Sequence, residues 1–280
     1  EVSTPTPKSN ELLIRIHASA VNAADWRLRS ANPWFVRLVF GLTKPRKPVL
    51  GVVFAGEVVN TGAAVTAHKK GDRLFGWTSI MGLGGHAEFI ALKETGAFAR
   101  MPDAMSYTDA AAIPFGFGTA LYFLRKAKVD KGQRALIYGA SGAVGSAAVQ
   151  LAKHLGAEVT GVCSTRNMEL VRSLGATEVL DYTKDDLSAQ RDRFDVVFET
   201  VGKLPFKQCL DLVRSGGRLV LGSDLPADML KRAFSGKGGR KVTVISGTAG
   251  ESAEDMRHFA TLWEQHHIHP VIDSTFPLLR

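Results

Sequence analysis

Cysteine is scarce in this sequence of 280 residues, which has only Cys163 and Cys209. Two cysteines build neither a disulfide framework nor a four-cysteine zinc site, and they suit a reducing compartment. Long apolar runs are missing too. The longest candidate, Trp34 to Leu42, is short and broken by Arg37 and Gly41, so no bilayer-spanning helix is expected. Glu1-Val2-Ser3-Thr4-Pro5 lacks the charged and apolar regions of a secretory leader, and a cytoplasmic location is the expectation. There is no internal repeat, no low-complexity segment and no long block of like charge. The net charge of +8 is dispersed, densest at Lys44-Pro45-Arg46-Lys47 and from Lys237 to Lys241, which both read as loops. Such dispersal favours a polyphosphate ligand over a nucleic-acid partner.

What is present centres on Ala135 to Lys153. Ala135-Leu136-Ile137-Tyr138 suits a buried strand, Gly139-Ala140-Ser141-Gly142-Ala143-Val144-Gly145 a turn, and the small and apolar residues that follow a helix packed on a sheet. A helix N-terminus offers unpaired N–H groups and the positive end of its dipole, so an anion binds there if no side chain holds it off. Strand, glycine turn and helix in this order predict a dinucleotide site at Ser141, Gly142, Ala143, Val144 and Gly145.

Around this stretch the chain divides. Residues 1 to about 103 read as β-rich, with strands at Glu11 to Ala18 and Val49 to Asn60 and others after Gly71 and Gly84; no helix of convincing length is expected there. From Ser106 the pattern turns helical, with an N-cap at Ser106 and Asp109 three positions on, and a second helix at Thr119 to Lys126. Beyond lie alternating strands at 135–139, 158–163, 178–182, 195–200, 218–223 and 241–247, with helices near 144–155, 167–174, 206–214 and 252–266. That alternation implies an α/β fold with a doubly wound parallel sheet.

In such a sheet the adenine ribose lies beyond the second strand, where an NAD site usually places Asp or Glu. Here the strand ends in Cys163-Ser164-Thr165-Arg166-Asn167, with no acid. Arg grips a 2′-phosphate through a planar fork and Ser adds a short hydrogen bond, so NADPH is the expected cofactor. The bland alternative makes Ser164 a helix cap and Arg166 a solvated side chain. Tyr182, after the third strand, packs by the same phosphate or is a surface aromatic. Val201-Gly202 and Gly222-Ser223 follow the fourth and fifth strands, at the edge where ligands of such sheets bind.

Val21-Asn22-Ala23-Ala24-Asp25, Gly51 to Val58, Gly71 to Gly76, Gly84-Gly85-His86-Ala87-Glu88 and the Gly139 to Gly145 turn together resemble the medium-chain dehydrogenase/reductase superfamily over nearly the whole chain. Within it the sequence is most similar to the zinc-free, zeta-crystallin-like quinone oxidoreductase branch. The resemblance implies a GroES-like catalytic domain (residues 1–105), a Rossmann NADPH-binding domain (106–250) and a return segment (251–280), with both ends truncated. Zinc enzymes of the superfamily carry a catalytic Cys where this chain has Asn22, and Gly-His-Glu where it has Gly51-Val52-Val53. His86, His266, His267 and His269 read as surface or core histidines, so no metal is expected.

Without a metal, hydride addition to a quinone or an α,β-unsaturated carbonyl is the favoured chemistry, because the resulting oxyanion is delocalised and hydrogen-bond donors can hold it. By resemblance Asn22 sits beside the reacting ring and Thr119 near the nicotinamide ribose; a turn residue and a helix N-cap are their structural alternatives. The expectation is an NADPH-dependent, zinc-independent quinone or enoyl reductase acting on a small apolar carbonyl or quinone. Its alternatives are a cofactor-binding protein with little turnover, or a zinc-free alcohol or aldehyde oxidoreductase. A homodimer stays open. So does the aromatic stretch Trp34 to Phe40, as pocket lining, dimer contact, membrane-surface contact or core.

Overall fold

The computed structural model describes residues 2–32, 34, 36–79, 82–223 and 241–278, with Val36 described by its backbone alone. Phe35 and Lys237 to Arg240, named in two of the sequence expectations, lie outside these residues. The chain divides into two compact units, residues 1–115 with 251–280, and residues 116–250.

The first unit is built on an antiparallel sheet. Alternating burial along β1 (Glu11–Ala18) turns Leu12 and Ile14 inward, as period-two patterning requires. β1 pairs with β2 (Val53–Thr61) on one side and β4 (Phe89–Lys93) on the other. β3 (Arg73–Trp77) and β5 (Phe98–Arg100) complete the order β4-β1-β2-β3-β5. Leu12, Ile14, Phe54, Val58, Leu74, Ile90 and Phe98 fill its core. The strand expected from Val49 begins only at Val53, because the Gly51 N–H donates to the Asp25 carboxylate at 3.0 Å instead of to a neighbouring strand.

The same unit holds two short helices in the half where no helix of convincing length was expected. α1 (Ala23–Ser30) is fixed by a capping box: Asn22 Oδ1 accepts from Ala24 N and Asp25 N, while Asp25 Oδ2 accepts from Asn22 N. A short α2 (Val36–Phe40) follows. α7, which spans Ala253–Glu264, packs on β5 and β3 through Met256, Phe259 and Leu262.

α3 (Tyr107–Lys126) is one continuous helix where two were expected. Ser106 Oγ accepts from Asp109 N at its start, and the helix then runs through Pro114, Gly116 and Gly118. Breakers are overridden because Ala110, Ile113, Phe117, Ala120 and Leu124 are buried, and packing outweighs a local loss of about 3 kcal/mol at a helical proline. Residues 107–115 count with the first unit and 116–126 with the second.

The second unit carries the expected parallel sheet, in the order β11-β10-β9-β6-β7-β8. Its strands are β6 (Arg134–Tyr138), β7 (Glu158–Cys163), β8 (Glu178–Asp181), β9 (Phe194–Glu199), β10 (Val213–Leu221) and β11 (Thr243–Ser246). β9 is buried along its whole length, as befits a central strand covered on both faces. Crossover helices α4 (Ala143–His154), α5 (Met168–Ser173) and α6 (Phe206–Leu212) join them. The pairings Tyr138↔Val162, Tyr138↔Glu199, Cys163↔Asp181 and Leu221↔Glu199 bring the carboxyl ends of five strands to one edge.

Candidate functional site

The glycine turn sits at that edge. Gly139 has φ +81°, and an added Cβ would collide with the side chains of Val201 and Thr200. At Gly145 a Cβ would run into the Gly139 carbonyl, so the helix could not approach the strand. Gly142 has room on its outer side, where the nearest atom to an added Cβ stands at 3.4 Å. It is the N-cap of α4 and, having no side-chain cap bond, leaves the first-turn N–H groups of Ala143 and Val144 without a side-chain partner. Ala143 is exposed and Val144 partly exposed. An uncapped, glycine-fronted helix start of this kind fits a dinucleotide's diphosphate. Behind it stands α3: a Cβ on Gly116 would lie 2.5 Å from the Ala143 carbonyl oxygen.

Beyond β7 the chain makes a single 3-10 turn, Thr165–Asn167. Ser164 precedes it without a side-chain cap bond, so its hydroxyl is not spent on the helix that follows. Arg166 is exposed. Asn167 Nδ2 donates to Ser141 Oγ at 3.0 Å and reaches Ser164 Oγ at 3.4 Å, tying the glycine turn to the end of β7. The nearby acid, Asp181, is buried and already committed. It accepts from Thr165 Oγ1, from Thr183 Oγ1 at 2.7 Å and from Thr183 N at 2.9 Å. The Thr165 and Thr183 hydroxyls hold its carboxyl below the usual carboxylate range. Tyr182 is 52% exposed and lies 6.3 Å from the Tyr138 ring. Burial, followed by the Glu199 carboxylate, pushes the Tyr138 phenol up.

The loop after β9 is organised by Glu199. Its buried carboxylate accepts from the N–H groups of Val201 at 3.1 Å, Gly202 at 2.7 Å and Lys203 at 3.2 Å, and from Ser223 Oγ at 3.3 Å. Gly222 N donates to the Glu199 carbonyl at 2.8 Å. Val201, Gly202, Gly222 and Ser223 are thus drawn together by one residue, through its side chain and its carbonyl, with Val201 43% exposed at the rim. Thr119 lies in the interior of α3, which rules out its alternative as a helix N-cap; the helix has been running since Tyr107.

Asn22 belongs to the first unit. Its Oδ1 is used in capping α1, and its Nδ2 is buried without an acceptor among the described residues. Asp25 is 3% exposed and accepts from Gly51 N and Asn22 N, with His86 Nε2 at 4.0 Å from Oδ2. His86 Nε2 also lies 3.4 Å from the Ala20 carbonyl oxygen. Val52 and Val53 are fully buried apolar residues. A capping amide and two valines supply none of the donors a zinc ion needs, and among the described residues no cluster of three or more His, Cys, Asp or Glu is placed to hold a metal.

Three residues that shape these sites went unread in the sequence: Asn167, Glu199 and Asp25. For two of them a local sign existed. Asp25 stands at the third helical position after Asn22, the spacing of a capping box. Glu199 is an acid that follows the apolar run Val196-Val197-Phe198, a place where a carboxylate needs donors.

Comparison with known proteins agrees with both units. The family described as Alcohol dehydrogenase GroES-like domain matches residues 8–103, and the one described as Zinc-binding dehydrogenase matches residues 143–262. The chain is 33% identical, over 99% of its length and 86% of the relative's, to the chloroplast envelope quinone oxidoreductase homolog of Arabidopsis thaliana. It is also 33% identical to the 2-methylene-furan-3-one reductase of Solanum lycopersicum, over 99% of this chain and 67% of that one. The crystal structure of Escherichia coli quinone oxidoreductase complexed with NADPH superposes with a TM-score of 0.77 at 25% identity, covering 96% of this chain and 84% of that chain.

Proposed function

Because the chain belongs to the medium-chain dehydrogenase/reductase superfamily, in its quinone oxidoreductase branch, we propose that it is an NADPH-dependent reductase that passes hydride, without zinc, to a quinone or an α,β-unsaturated carbonyl. The observation that carries this reading is the cofactor edge of the second unit. There the α4 N-terminus is uncapped, and the end of β7 presents Ser164 and Arg166 where an NAD site would present an acid. Asp181, a nearby acid, is buried, and its carboxylate is already engaged by the Thr165 and Thr183 hydroxyls.

When bound, a reduced nicotinamide supplies the hydride. The chain's own residues bind and orient. Ser141, Gly142, Ala143, Val144 and Gly145 hold the diphosphate, and Ser164 and Arg166 the 2′-phosphate, with Tyr182 beside it. Val201, Gly202, Gly222 and Ser223, fixed by Glu199, line the way to the nicotinamide end, and Thr119 serves the adjoining ribose. Asn22 Nδ2, a buried donor with no acceptor among the described residues, donates to the acceptor's oxygen as negative charge develops there; such a donor gains strength where water is excluded. No side chain is required as a proton donor, since solvent completes the reduction of the released product. The superfamily's zinc chemistry has no counterpart, because the ligand positions hold Asn22 and Val52.

The reading extends to a cytoplasmic homodimer that takes small-molecule substrates and no nucleic acid. Among the described residues no helix is long and apolar enough to cross a membrane. The test is an acceptor panel. NADPH oxidation is expected with a soluble quinone and with an enone, and not with NADP plus simple alcohols; alcohol oxidation that appears on adding zinc would overturn the proposal.

A further inference from the structure

Residues 26–56 carry six basic side chains, Arg27, Arg29, Arg37, Lys44, Arg46 and Lys47, and not one acid. This stretch therefore holds +6 of the chain's net +8. Redox chemistry at the cofactor edge uses none of these groups. The same stretch exposes apolar surface: Trp34 is 70% exposed, Leu38 57%, Val39 48% and Leu42 66%. Scattered exposed leucines are ordinary, whereas four large apolar side chains within nine residues form a patch that calls for a partner.

Local geometry joins the charge to the patch. Arg37 N donates to the Trp34 carbonyl at 3.1 Å, which ties Trp34 to the first turn of α2. Arg46 then folds back on α2. Its N–H donates to the Phe40 carbonyl at 2.8 Å and its guanidinium to the Val39 carbonyl at 3.3 Å. The basic run Lys44 to Lys47 is thereby brought against the exposed helix, and Lys44 and Lys47 are themselves exposed.

We propose that α2 and the Lys44 to Lys47 run form a docking face for an anionic lipid bilayer. An exposed tryptophan with aliphatic neighbours suits the boundary between headgroups and acyl chains, and the flanking cations suit acidic headgroups. The alternatives meet physical objections. A second copy of the same face would set Arg37, Lys44, Arg46 and Lys47 against their own like charges. Nucleic acid would satisfy the cations yet leave Leu38, Val39 and Leu42 in water.

The experiment is sedimentation of the full chain with sucrose-loaded vesicles, one set of pure phosphatidylcholine and one with a quarter phosphatidylglycerol. Binding is expected on the anionic set at low salt, with release as salt rises and a blue shift of tryptophan emission on binding. The triple variant Arg37→Ser, Lys44→Ser, Lys47→Ser should lower partitioning by about a hundredfold, since each basic group near such a surface is worth about a factor of five. Its melting temperature should match that of the unaltered chain. Trp34→Ser should weaken binding and abolish the shift. Absence of binding to anionic vesicles, or equal binding by the triple variant, would overturn the proposal. So would binding to a DNA duplex as tight as to vesicles at the same salt, or a dimer broken by Leu38→Asp with vesicle binding unchanged.

Discussion

Replacing Arg166 with aspartate sets a carboxylate where the proposed 2′-phosphate would lie. A charge-assisted hydrogen bond is worth about 1.5–3 kcal/mol, so NADPH affinity should fall by about 10- to 100-fold while NADH affinity changes little. Fluorescence titration with both dinucleotides reads this directly, and equal losses would remove Arg166 from the site. A second residue, Asp181, ties stability to pH. Its carboxyl is held below the usual range by Thr165 and Thr183, so its contribution is present above the unfolded pKa of about 3.9 and is lost as pH falls through the lower folded value. Asp181→Asn should therefore melt earlier than the unaltered chain at pH 7, and the gap should close toward pH 2. At this scale the sequence drew notice to Ser164 and Arg166 because the end of β7 lacks the usual acid. Asn167 drew none, because its partner Ser141 lies 26 residues away and only the fold brings them together.

Elements show where local rules win and where they yield. Strands β6 to β9 and helix α4 were legible because they bury apolar runs of fitting length between turn residues. α1 escaped notice because its eight residues bury only Asp25 and carry no apolar stripe; a capping box holds it. α3 was divided in two on the strength of Pro114 and its glycines, whose helix-breaking tendency the surrounding core overrides. Gly116 gives that helix a purpose: it lets α3 lie against the first turn of α4. In Gly116→Ala the new methyl would meet the Ala143 carbonyl at 2.5 Å, and because backbone yields poorly, a cost of about 1–3 kcal/mol is expected. Chemical denaturation measures that cost. NADPH affinity should fall with it, since the displaced turn is the proposed phosphate cradle; stability lost without any change in affinity would separate α3 from the cofactor site.

For the molecule as a whole, the two cysteines serve as reporters. Cys163 and Cys209 are both buried in the second unit, and burial pushes the Cys163 thiol up, away from the reactive thiolate. Neither should react with a thiol reagent until that unit opens. NADPH at 100 times its dissociation constant should slow labelling about a hundredfold when opening limits it through the equilibrium, a stabilisation of about 2.7 kcal/mol. Labelling that ignores NADPH would count against cofactor binding by this unit. The order of a β-rich half followed by a doubly wound half was legible from composition and alternation alone. That residues 251–280 return to the first unit was suggested only by resemblance, because α7 has an amphipathic pattern that would suit either sheet.

That return has a bearing on how the chain is made. The strands of the first unit leave the ribosome early, yet α7, which packs on β5 and β3, emerges only after the whole second unit. At about 5–20 residues per second, the intervening residues 116–250 take on the order of ten seconds to synthesise, and being continuous they can close their own core meanwhile. The nascent first unit thus spends that interval with the surface meant for Met256, Phe259 and Leu262 unpaired, and it is there that a chaperone would be expected to hold the growing polypeptide.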